Sequence, residues 1–134
     1  MKKVFTLTTM LMLIAFGVLF PVTVSADSME VENSAICESV VDREAVNEGY
    51  SFPTSVNKLY CLSKIANIQS HTEVVHTWYF GDTQRARVTL NVNPPAWRTY
   101  SSKIIQVHET GKWHVKILDA ANNLLEDVEF EITP

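Results

Sequence analysis

Glycine is scarce in this chain: there are four in 134 residues, and they are scattered. No glycine-rich loop is available to cradle a phosphate, so nucleotide-binding signatures of that type are excluded. Cysteine is scarcer, with two residues. Beyond the first twenty or so positions, no apolar stretch approaches the roughly 20 residues a membrane-spanning helix requires. There is no internal repeat, no low-complexity tract and no convincing amphipathic helix. No lysine or arginine follows Lys116, whereas five acids lie between Ile117 and the end.

The N-terminus is the richest segment in signal. Lys2 and Lys3 precede an apolar run from Leu7 to Phe20, Pro21 ends it, and Val24-Ser25-Ala26 has the small-residue pattern of a cleavage site. Residues 1–26 therefore read as a secretory signal peptide with cleavage near Ala26. The apolar core is short for a membrane anchor, so contact with the membrane is expected only if this segment stays uncleaved. No cysteine follows it directly, which argues against a lipoprotein. Cleavage removes two of the 11 basic residues and none of the 15 acids. The mature domain then carries 9 bases against 15 acids, a net charge of −6. Nucleic acid is not an expected partner of such a domain.

Cys37 and Cys61 both lie in the mature part. In an oxidising compartment an even pair reads first as a disulfide, closing a loop of about 25 residues worth roughly 3 kcal/mol. The alternative is two separate buried thiols acting as small apolar residues.

Residues 27–34 are acidic, polar and without period, and read as a disordered leader. One all-β domain is expected over 35–134. Strands are read at 35–41, 59–65, 72–80, 85–92, 97–105, 113–117 and 127–132. The span 42–57 reads as loop from its Asn, Gly, Ser and Pro content. The fourth strand is the clearest, with Ala86, Val88, Leu90 and Val92 alternating with Arg85, Arg87, Thr89 and Asn91. Pro94-Pro95 marks an edge or a crossing between sheets. About seven short strands at regular spacing predict an antiparallel β-sandwich of immunoglobulin-like type, or a small barrel.

Candidate chemistry is sparse. From Glu73 to Lys116 there are six bases and three acids. This locally positive middle reads either as cross-strand charge pairing or as an anion site built on Arg98 and Lys103. Trp78 and Trp113 share parity with apolar neighbours and are expected in the core. Trp97, at a strand entrance beside Arg98 and Tyr100, is the best exposed-aromatic candidate. It would stack on a ligand or pack on an arginine. His71, His76, His108 and His114 show no ligand spacing, so no metal and no cofactor are expected. His76 is expected to hydrogen-bond across the sheet. Ser101 and Lys103 share a strand face and supply the sole hint of a serine–lysine arrangement.

Several of these residues also carry a family resemblance: His76-Thr77-Trp78-Tyr79, Arg87-Val88 with Val92, Trp97 to Lys103, Gly111-Lys112-Trp113-His114-Val115, then Leu125 and Phe130. On these, the chain from Cys37 to its end resembles domain of unknown function 2914, a small exported bacterial domain. The resemblance implies a periplasmic or envelope location and brings no catalytic residue. The expectation is a non-enzymatic envelope interaction or accessory module. It would use the surface of Trp97, Arg98, Tyr100 and Lys103, with an envelope protein or a glycan as partner. The alternatives are a domain binding a glycan or other anionic small molecule and, further off, a hydrolase.

Overall fold

The computed structural model describes residues 17–19 and 28–134. The stretch 1–26, read from the sequence as a signal peptide, lies outside the described residues except for 17–19, which carry no regular structure. Among the described residues no helix is long and apolar enough to cross a membrane.

The described residues form nine strands: β1 (Glu30–Val41), β2 (Glu44–Gly49), β3 (Ser51–Pro53), β4 (Lys58–Ala66), β5 (Thr72–Phe80), β6 (Thr83–Val92), β7 (Trp97–Ile104), β8 (Gly111–Asp119) and β9 (Leu124–Thr133). They form two sheets, ordered β2-β1-β4-β7 and β3-β9-β8-β5-β6. Strands β1-β4-β7 correspond to A-B-E of an immunoglobulin-like sandwich, and β3-β9-β8-β5-β6 to A′-G-F-C-C′. The crossing at Pro94-Pro95 carries the chain from β6 in one sheet to β7 in the other.

Three expectations are corrected. The leader is not wholly outside the fold, because β1 starts at Glu30 and pairs Glu30 with Ala66 and Val31 with Ile65. Val31 and Met29 pack on the core while their polar neighbours face water, so composition alone hides a paired backbone. The loop read at 42–57 contains two further strands, raising the count from seven to nine. One of these, β3, runs parallel to β9 (Phe52 opposite Ile132), so the sandwich is not wholly antiparallel.

The core is built by alternation. Ile36, Leu59, Cys61 and Ile65 from one sheet meet Val74, Trp78, Val92, Trp113, Val115, Ile117, Phe130 and Ile132 from the other. Phe130 anchors an aromatic cluster, edge-on to Trp78 and stacked on Trp113, each at 6.1 Å between centroids. Trp78 and Trp113 are fully buried, as their strand parity predicts.

A polar link crosses this apolar layer. His76 on β5 places Nε2 2.8 Å from Ser63 Oγ on β4 and Nδ1 2.7 Å from Ser101 Oγ on β7. Trp78 Nε1 donates to the same Ser101 oxygen at 3.0 Å. A neutral imidazole serves both serines in either tautomer, donating from one nitrogen and accepting at the other. Burial holds the ring neutral, pushing its pKa from 6.5 down to about 4.

The cysteines do not pair; both are buried and free. The register explains this. Cys61 lies opposite Ile36, and Cys37 lies opposite Tyr60. Neighbouring residues of a strand point to opposite faces, so Cys61 enters the core while Cys37 points out of the other side of the sheet. Burial raises both thiol pKa values. Cys61 and Trp78 occupy the strands on which immunoglobulin domains keep their first bridging cysteine and core tryptophan. The facing strand β8 offers Trp113, Val115 and Ile117 instead of a second cysteine.

Candidate functional site

The β1–β2 hairpin shapes the most distinctive surface. It turns through Asp42 and Arg43, both at positive φ (51° and 62°), the pairing required by a two-residue type I′ loop. In a flat sheet its tip would lie two strands away from β7. Instead, Arg43 sits over the Trp97 ring at 4.8 Å, and Glu44 lies 4.0 Å from Arg98. The hairpin is therefore folded back across the outer face of the four-stranded sheet. Asn47, at φ 55°, is an irregular residue within its second strand. This fold buries Cys37 on a face that would otherwise be wet.

Beneath the hairpin is a hollow of about 260 Å³, walled by Ala35 and Leu62 and carrying Arg43, Lys64 and Arg98 alongside Glu44 and Glu48. Lys64 also contacts Glu32 at 3.3 Å. Both ion pairs are largely exposed, so each contributes at most about 1 kcal/mol and yields readily to a competing anion. Next to Arg98 on the same face, Tyr100 is 47% exposed and packs edge-on to Tyr60 at 6.1 Å. Lys58 Nζ lies 5.2 Å from the Tyr60 ring centre.

The four residues expected to form one surface are divided by strand parity. Arg98 and Tyr100 face outward. Trp97 and Lys103 pair with Ile65 and Leu59, which are core residues, and so belong to the inner face. Trp97 is half-buried against the core, with Arg43 as its cation–π partner. Lys103 turns its ammonium to the carbonyl of Ile104 at 2.9 Å. Ser101 is committed to His76 and Trp78, so the serine–lysine pair is not assembled.

The remaining bases are mostly matched. On the outer face of the five-stranded sheet, Lys112, His114 and Lys116 stand opposite Glu131, Glu129 and Asp127, the cross-strand arrangement expected of alternating charges. His114 Nδ1 lies 2.8 Å from Asp127 Oδ1, and its Nε2 lies 3.1 Å from the Gly81 carbonyl. A shallow hollow of about 480 Å³ beside it is predominantly acidic, with Asp82, Asp127, Glu129 and Glu131. Arg87 donates to Asn122 at 2.7 Å. Among the described residues no group of three or more His, Cys, Asp or Glu is placed to hold a metal ion.

No pattern in the sequence marked Glu109. Its side chain is fully buried, with Oε1 accepting the Gln106 N–H at 3.0 Å and Oε2 2.9 Å from Arg85 Nη2. The second contact brings the charges together without an N–H aimed along the hydrogen-bond line. Nor did composition reveal the hairpin cleft, because Arg43, Lys64 and Arg98 are distant in sequence.

Residues 71–132 match the model of a family described as a protein of unknown function, DUF2914. Over these 62 residues, a little under half of the chain, it is similar to the DUF2914 family. The DUF2914 match covers β5 to β9, apart from the last residue of β9, and includes His76, Trp78, Trp97, Arg98, Tyr100 and Trp113. Strands β1 to β4, and with them Arg43, Lys64 and most of the cleft wall, lie upstream of the DUF2914 match. No curated protein matches the chain.

Proposed function

We propose that this protein is a non-catalytic binding module of the bacterial envelope that engages its partner through the outer face of the β1-β4-β7 layer. The supporting observation is the folded hairpin. It brings Arg43, Lys64 and Arg98 to one hollow beside the exposed Tyr100. The guanidinium forks suit carboxylate or phosphate groups, and the tyrosine offers a flat apolar contact. The signal-like N-terminus supports an exported location, where acidic envelope proteins and glycans are the available partners. A non-catalytic role is supported by the commitment of Ser101 and Lys103 to internal contacts.

A photo-crosslinking amino acid at position 100 tests this reading in cells. Adducts of one defined mass are expected, lost in Arg98→Glu and retained in Arg87→Glu on the opposite sheet. Adducts indifferent to Arg98→Glu would remove the outer face from consideration.

A second reading, a small anionic ligand such as a uronic-acid oligosaccharide, is favoured by the hollow itself, which exceeds 200 Å³. Titration with an oligogalacturonate should then shift the Arg43 and Arg98 side-chain resonances. The neutral sugar should not.

A further inference from the structure

The open edge of β7 has a backbone and side-chain pattern that goes beyond the cleft reading. Among the described residues, β7 pairs in its sheet with β4 alone. Ile105 N donates to Asn57 O at 2.8 Å, which marks residues 105 and 57 as a hydrogen-bonded pair. Counting back along the register, residues 103, 101, 99 and 97 turn their backbone groups to β4. The N–H and C=O groups of Arg98, Tyr100, Ser102 and Ile104 then point to the free edge. Lys103 fits this alternation: its ammonium satisfies the outward carbonyl of Ile104. An inward-turned lysine on an edge strand guards against indiscriminate pairing.

The facing sheet extends past this edge. Its outermost strand, β6, directs Ala86, Val88 and Leu90 to the inner side, opposite Trp78, His76 and Val74 of β5. All three are only half-buried, although the corresponding residues of β5 are fully buried. The side of β7 where an immunoglobulin-like sheet would carry strand D is the side from which they lack cover.

Charge narrows the choice of occupant. Strands β6 and β7 contain Arg85, Arg87, Arg98 and Lys103 and no acid. A second copy of β7 running antiparallel would bring no acid to Arg98, because β7 contains none. An added strand alternates its side chains, so apolar residues would cover Ala86, Val88 and Leu90 while acidic ones stood beside Arg98.

We infer that β7 is a strand-addition site for an extended partner segment in which apolar and acidic residues alternate. Main-chain hydrogen bonds to Arg98, Tyr100, Ser102 and Ile104 supply affinity. The alternation supplies selectivity.

A synthetic peptide of about ten residues alternating valine and glutamate, a typical strand length or slightly more, is the probe, used with the full chain. Two observations are expected. The amides of residues 98, 100, 102 and 104 gain protection from hydrogen exchange. A valine–lysine peptide, or the glutamate peptide N-methylated on its β7-facing amides, binds at least about tenfold more weakly, equivalent to about 1.4 kcal/mol. Ser102→Pro, which removes an N–H directed to the open edge, should weaken binding similarly while leaving thermal stability near wild type. Lys116→Ala, on the outer face of the other sheet, should leave peptide binding unchanged, and Ser102→Pro keeps the charged groups of the cleft, so the two surfaces can fail separately. Absence of binding, equal binding of the lysine peptide, protection located on β6 or β2, or self-association of the free chain through β7 would each overturn the assignment.

Discussion

His76 Nδ1 lies 2.7 Å from Ser101 Oγ, and that same oxygen accepts the indole N–H of Trp78 at 3.0 Å. One serine hydroxyl thus satisfies two large buried groups from the opposite sheet. Ser101→Ala leaves the Trp78 N–H and His76 Nδ1 without a partner, His76 keeping only Ser63, and should cost about 2–4 kcal/mol in urea unfolding. Ser63→Ala removes a single contact to the same ring and should cost about 1 kcal/mol. Equal losses in the two variants would show that the shared oxygen has no special weight.

Acid should act through the same imidazole. Its folded pKa, about 4, lies below the unfolded value of 6.5. The unfolded chain therefore takes up the proton first, and protonation favours unfolding. The contribution is fully present above about pH 6.5, declines as pH falls towards 4, and levels off below that. Its total is on the order of 3 kcal/mol. Denaturation midpoints measured across this range should fall for wild type and much less for His76→Gln. Parallel pH profiles for the two proteins would contradict this assignment.

The cysteines should behave as two thiols of unequal access. Denatured protein should take up two equivalents of iodoacetamide without prior reduction. Under native conditions Cys37, covered by the folded hairpin, should react well before Cys61, which opens only with the core. A mass consistent with a Cys37–Cys61 bridge would require a different β1–β4 register.

Glu109 depends on Arg85 for neutralisation. Arg85→Ala leaves a buried carboxylate with one backbone donor. It should cost about 2 kcal/mol, less than the roughly 3–5 of a fully enclosed pair because the arginine side chain is partly exposed. Combining it with Glu109→Gln should recover part of the loss, since the amide oxygen still accepts from Gln106. Additive losses in the double variant would count against charge as the cause.

Strand periodicity made much of this sandwich legible. Residues 72–80 form β5 as read, and the alternation from Ala86 to Val92 places the inner face of β6 correctly. The hairpin was hidden because its turn is Asp42-Arg43, without the Asn-Gly pair that usually marks positive φ at both positions. The cysteine pairing failed for a different reason. An oxidising compartment was an expectation and an even number of cysteines a compositional fact, whereas the side on which Cys37 emerges depends on a register that only the strand partner fixes. The same parity divided Trp97 and Lys103 from Arg98 and Tyr100. That division follows from adjacency along a strand and was available from the sequence once the span 97–104 was taken as β.

The family match and the folding unit have different borders. Residues 71–132 contain four strands of one sheet but only β7 of the other. A polypeptide cut to that length would present Trp78, Val115, Ile117 and Phe130 to water and leave His76 without Ser63. It would also lose β3, whose parallel pairing, together with the Tyr50 carbonyl bonded to Glu131 N at 2.8 Å, closes the far edge of β9. What sequence comparison delimits here is half of a clamshell. A recombinant fragment meant to fold must begin no later than Met29, where the first side chain of the upstream half meets the core.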